Sequence, residues 1–260
     1  MKRFAYSLLT FISVATLAAT PKIETREINY KVNGATFKGF LALPEGKNKV
    51  PGVLVIHEWW GHNEYARKRA RMLAELGYAA FALDMYGEGK STNDPKVAGH
   101  MMNETISSGQ IKARFDGAMK VLKDEPRVEQ DKIAAIGYCF GGNVVLSMAE
   151  ASEPLKAVVS FHGSYPAHAE LKKGSVKSEV LVLHGAEDQF TTKEALEQLK
   201  KDLDAAGAKY KVVIYPGAKH AFSDPESSAK GEMHHIPIGY NKEADLKSWD
   251  EMKKLFKKTL

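Results

Sequence analysis

Two segments near the start of the chain alternate apolar and polar residues with a period of two: REINYKV at 26–32 and TFKGFLALP at 36–44. That period describes half-buried strands. Asn33-Gly34 stands between them and enters a tight turn with little strain, so an antiparallel hairpin is predicted. The pattern then changes. Continuous apolar runs occur at 51–58 (PGVLVIHE), 78–84 (YAAFALD), 132–139 (KIAAIGYC), 155–163 (LKAVVSFHG), 179–185 (EVLVLHG) and 210–216 (YKVVIYP). Between them, at 63–77, 111–125, 192–207 and in the C-terminal KSWDEMKKLFKKTL, apolar residues return every three or four positions, the helical period.

Strand and helix in alternation, with strands apolar on both faces, predict a mostly parallel sheet covered by helices on both sides. The fold class is therefore α/β, with the N-terminal hairpin as an antiparallel addition. Residues 21–260 are enough for one such domain, and no internal repeat divides them. In open sheets of this kind, ligands gather beyond the carboxyl ends of the strands, so the residues just past each strand matter most. The longest stretch without a clear period, 86–110, falls between two strands and is read as a lid or pocket wall.

Composition alters this picture at the N-terminus. Lys2 and Arg3 precede the apolar run FAYSLLTFISVATLA, then small residues and Thr20-Pro21. This is the layout of a cleavable secretory leader, residues 1–20, and it implies a periplasmic or secreted protein; an uncleaved anchor is the alternative. Without Lys2 and Arg3 the formal charge falls from +5 to +3, too little to call for nucleic acid. The C-terminal lysines flank an apolar stripe of Trp249, Met252 and Phe256, the pattern of a docked helix rather than a membrane site. Monomeric behaviour is the default. The single cysteine, Cys139, excludes an internal disulfide and leaves an exported protein with a free thiol.

That thiol lies in Gly137-Tyr138-Cys139-Phe140-Gly141, where an apolar strand meets a helical segment. The spacing is that of a nucleophile elbow with cysteine as the nucleophile. Side chains two positions away on either side would collide with backbone at so sharp a turn, and the helix start favours a thiolate. Asp188 comes after the strand at 179–185 and His220 after the strand at 210–216. Nucleophile, acid and histidine in that order match the α/β-hydrolase arrangement. Each residue also has an ordinary reading: a buried thiol in a glycine turn, a cap for a helix beginning near Thr191, a loop histidine. His57-Glu58 with His62 superficially suggests zinc, but histidines five positions apart would diverge by about 140° on a helix. Their setting reads as a strand end. The adjacent His234-His235 pair is a poor chelator, and no metal or cofactor is called for.

Taken together, HEWWG, DMYGEG, GYCFGG, HGAEDQF, KHAF and GYNKEADLKSW resemble the dienelactone hydrolase family across nearly the whole mature chain. The resemblance implies an α/β-hydrolase fold and a catalytic triad of Cys139, Asp188 and His220. It also implies that Glu58 interacts with the resting thiol and is displaced by substrate, its charge disfavouring an adjacent thiolate. The backbone N–H groups of Phe140 and Trp59 become the implied oxyanion hole, with Trp60, Tyr86 and Phe222 as candidate pocket residues. His57, His62, His162 and His184 are assigned hydrogen-bonding roles behind the site. The expected chemistry is cleavage of a lactone or activated ester through a cysteine acyl-enzyme. Members that hold a carboxylated lactone use an arginine shortly after the catalytic histidine. Here Ser223-Asp224 occupy that stretch, where an acid would repel a carboxylate; Arg114 is a candidate substitute. The alternatives are a broad carboxylesterase or thioesterase, a non-catalytic exported binding protein, and a redox thiol protein that would need an external resolving partner.

Overall fold

The computed structural model describes residues 22–165 and 171–260; the leader segment lies outside them. The predicted hairpin consists of β1 (Ile23–Val32) and β2 (Ala35–Pro44), paired in register from Ile23↔Pro44 to Val32↔Ala35. Asn33 and Gly34 take positive φ at the turn, 49° and 83°. The remaining strands are β3 (Val50–Ile56), β4 (Ala79–Leu83), β5 (Val128–Tyr138), β6 (Ala157–Phe161), β7 (Glu179–Gly185) and β8 (Tyr210–Tyr215). All eight form one sheet in the order β1-β2-β4-β3-β5-β6-β7-β8. Pairing is antiparallel through β2–β4 and parallel from β4 to β8.

The helices are α1 (Glu64–Glu75), α2 (Pro95–Ser107), α3 (Ile111–Asp124), α4 (Phe140–Glu150), α5 (Lys193–Ala205), α6 (Ser227–His234) and α7 (Lys242–Thr259). Leu54 and Ile56 of β3 join one core with Phe115 and Leu122 of α3, Val144 of α4 and Leu199 of α5. Val53 and Val55, facing the other way as a strand's period requires, pack with Ala70 and Leu73 of α1 and Trp249, Met252 and Phe256 of α7. The two-sided covering read from the apolar runs is what the chain forms.

Three features depart from the sequence reading. Residues 86–110 include α2, capped by the Asp94 side chain with Pro95 in its first turn. Its fully covered positions are Ala98 and Thr105, so it carries no large apolar stripe to announce it. The short helix α6 is hidden for the same reason, since only Ser227 and Gly231 are buried. The third is β8, which reads as an interior strand but lies at the sheet edge and leaves Ile214 exposed.

Candidate active site

Ile56 pairs with Gly137 across the parallel β3–β5 ladder. The chain therefore leaves both strands side by side, and Glu58 and Cys139 each stand two residues beyond that pair. Cys139 adopts φ 53° and directly precedes α4. The flanking glycines are required sterically. A Cβ on Gly137 would fall 1.9 Å from the Gly141 carbonyl oxygen, and one on Gly141 would fall 2.4 Å from that of Ile56. Only bare backbone lets α4 seat against β3 and β5 so closely. The half-buried thiol is carried at the rim of the turn.

Asp188 sits in the turn after β7. Its Oδ1 accepts from the N–H groups of Phe190 (2.8 Å) and Thr191 (3.2 Å), while Oδ2 meets His220 Nδ1 at 2.8 Å. The cap of α5 is Thr192, so the aspartate is not needed for that task. His220, beyond β8, is held by the Gly239 N–H, which donates to its carbonyl at 3.1 Å. Burial alone would lower the His220 pKa. The Cys139 charge and hydrogen bonds with Asp188 and Cys139 outweigh it and push His220 up to about 10, favouring imidazolium beside sulfur.

Glu58 is buried, and neither carboxyl oxygen has a hydrogen-bond partner among the described residues. Desolvation, followed by the charge of Asp224, raises its pKa to about 8 against the pull of Lys230, His220 and Arg69. Burial thus holds Glu58 toward its neutral acid form below about pH 8. The like-charge argument for guarding the thiol requires the ionised carboxylate, which burial disfavours below about pH 8.

Cys139, Glu58 and His220 open onto a cavity of about 250 Å³. Trp59, Trp60, Met102, Phe140, Phe190 and Ile238 give it apolar walls, and no lysine or arginine among the described residues lines it. The N–H groups of Trp59 and Phe140 have no acceptor among the described residues.

Several assigned residues stand elsewhere. Phe222 is fully buried in the core against Tyr215 and His162 and does not line the cavity. Tyr86 sits behind the wall, stacked on Phe140, with its hydroxyl donating to the Trp59 carbonyl at 2.9 Å. Arg114 donates to the Met85 carbonyl and the Thr105 hydroxyl and lines no part of the cavity. Asp224 also lies off the cavity, paired with Lys230 at 3.1 Å. His162 bonds Ser223 Oγ at 2.7 Å behind His220, and His184 meets the Tyr165 hydroxyl at 3.3 Å. Met102 lines the cavity from within the 86–110 segment read as a lid or pocket wall, and Ser164, Phe190 and Ile238 line it although the sequence reading gives them no role. Phe190, two residues after Asp188, packs its ring 4.9 Å from that of His220.

The model of the family described as "Dienelactone hydrolase family" matches residues 37–260. The chain belongs to the dienelactone hydrolase family. Among solved dienelactone hydrolase relatives, a metagenomic dienelactone hydrolase-like promiscuous phosphotriesterase is 32% identical, with TM-score 0.85 over 91% of this chain and 98% of that one. A structure named m3DLH is 34% identical, with TM-score 0.86 over 92% and 99%. A Saccharolobus solfataricus protein, named provisionally as a carboxymethylenebutenolidase, is 29% identical over 90% of this chain and 98% of its own length.

Proposed function

We propose that this dienelactone hydrolase family member cleaves small, uncharged, activated esters or lactones through a cysteine acyl-enzyme. The observation that carries the reading is a half-buried thiol that lines one apolar cavity together with an Asp188-bound His220 and with Trp59 and Phe140. The Cys139 thiolate attacks the carbonyl carbon, and the resulting oxyanion is held by the N–H groups of Trp59 and Phe140. Collapse expels the alkoxide, which takes the proton from His220. His220 then accepts a proton from water, the hydroxide attacks the thioester, and the acid leaves as the thiolate reforms. Thiolate leaves more readily than an amine anion, so esters, lactones and thioesters suit this nucleophile and amides do not.

A cavity wall with no lysine or arginine among the described residues supports uncharged substrates. A carboxylate would be desolvated against tryptophan and phenylalanine with no lysine or arginine among the described lining residues to hold it, and it would compete with the Cys139 thiolate for His220. The apolar leader-like run at the N-terminus supports export to the periplasm or medium, and the hydrolase acts there as a monomer. Hydrolysis of an aryl ester, an uncharged enol lactone, its carboxylated analogue and an uncharged phosphotriester, by wild type and Cys139→Ala, tests the reading. The phosphotriester belongs in the panel because one relative is a promiscuous phosphotriesterase. Cys139-dependent turnover favouring uncharged substrates is expected; full activity in Cys139→Ala would refute the nucleophile.

A further inference from the structure

His57 is buried one residue before Glu58, and both of its ring nitrogens are committed. The Met85 backbone N–H lies 3.1 Å from Nε2, and the Glu58 carbonyl oxygen 2.5 Å from Nδ1. A backbone N–H can only donate and a carbonyl oxygen can only accept. Nε2 is therefore bare and Nδ1 carries the proton, which fixes one neutral tautomer. Burial lowers the ring's pKa and keeps it neutral. The rings of Tyr86, at 4.8 Å, and Phe140, at 6.1 Å, pack around it.

The bond to the Glu58 carbonyl has a consequence across the peptide. In a trans peptide, C=O and the next N–H point in opposite directions, and the described residues include no cis bond. The Glu58 carbonyl is drawn toward His57 and also accepts from the Gly61 N–H at 3.1 Å. The Trp59 N–H is thereby turned away from that packed side, and Trp59 lines the cavity with Cys139.

We propose that His57 is a positioning residue for the oxyanion hole: it holds the Glu58–Trp59 peptide so that the Trp59 N–H faces the carbonyl attacked by Cys139. The assignment rests on the acyl-enzyme reading above. Without the clamp, the peptide can rotate and the N–H loses its aim at the moment charge develops.

The test compares wild type, His57→Phe, His57→Gln and Cys139→Ala on one activated aryl ester, together with the rate at which iodoacetamide alkylates Cys139. Phenylalanine fills the site without a hydrogen bond; glutamine offers one donor and one acceptor, as the neutral imidazole does. His57→Phe is expected to lower kcat about 10²-fold, with KM and alkylation rate within about 3-fold of wild type. His57→Gln is expected to recover most of the lost kcat. Undiminished kcat in His57→Phe, or equal damage in both variants, overturns the proposal. If His57→Phe does not fold, long-range ¹H–¹⁵N spectra of wild type decide: an Nδ1–H tautomer supports the clamp and an Nε2–H tautomer overturns it. Wild-type turnover by Cys139→Ala would instead overturn the acyl-enzyme reading itself.

Discussion

Glu58→Gln keeps the shape of the side chain and removes its titration. In an unfolded chain this carboxyl would release its proton near 4.5, whereas in the folded protein it holds the proton until about pH 8. Between those values the unfolded state binds fewer protons than the folded one, so wild-type stability falls as pH rises and levels off above about 8. At about 1.4 kcal/mol per pH unit, that window amounts to roughly 5 kcal/mol. The figure is an upper bound, because water reaching the ionised group would reduce it. The cause is structural: burial desolvates two oxygens that have no hydrogen-bond partner among the described residues, and Asp224 adds a like charge. Urea denaturation of both proteins at half-unit steps from pH 4.5 to 9.5 measures the effect. The advantage of Glu58→Gln over wild type should grow through this range, by several kcal/mol in all. Curves parallel within about 0.5 kcal/mol would refute a protonated, unpartnered Glu58.

Asp188→Asn removes the charge beside His220 Nδ1 and should lower kcat by about 10²- to 10⁴-fold with little change in melting temperature; a loss under 10-fold would argue against a His220 base. Gly141→Ala places a methyl 2.4 Å from the Ile56 carbonyl oxygen and should cost about 3 kcal/mol in urea unfolding; unchanged stability would contradict the close helix seat. Asp224→Asn should leave KM for a carboxylated lactone unchanged, because Asp224 faces Lys230 rather than the cavity. It should also shift the Glu58-dependent stability loss to lower pH, as one like charge is gone. A large KM decrease would place the repulsion at Asp224 after all.

The sheet and the Cys139-Asp188-His220 cluster were legible because both arise from local pattern. Apolar runs mark the strands, and an α/β fold brings the segments at their carboxyl ends to one edge of the sheet. Other features depend on contacts that periodicity does not carry. Helices α2 and α6 bury alanine, threonine, serine and glycine, so nothing in their apolar spacing distinguishes them from loops. Phe222 lies near His220 in sequence, but its ring packs with Tyr215 and His162 in the core, a contact that only the fold reveals. The protonation of Glu58 depends first on its burial and then on Asp224, Lys230, His220 and Arg69, all of which reach it only through the fold. Sequence could propose that Glu58 stands beside the thiol. It could not say in which charge state.

The proposed acyl-enzyme is open to a direct test. Protein mixed with an activated aryl ester, quenched in acid during turnover and weighed intact by mass spectrometry, should show an adduct of one acyl group. Peptide mapping should place it on Cys139, and Cys139→Ala should show none. Turnover without any adduct under conditions that make deacylation rate-limiting, or an adduct that persists in Cys139→Ala, would contradict the account.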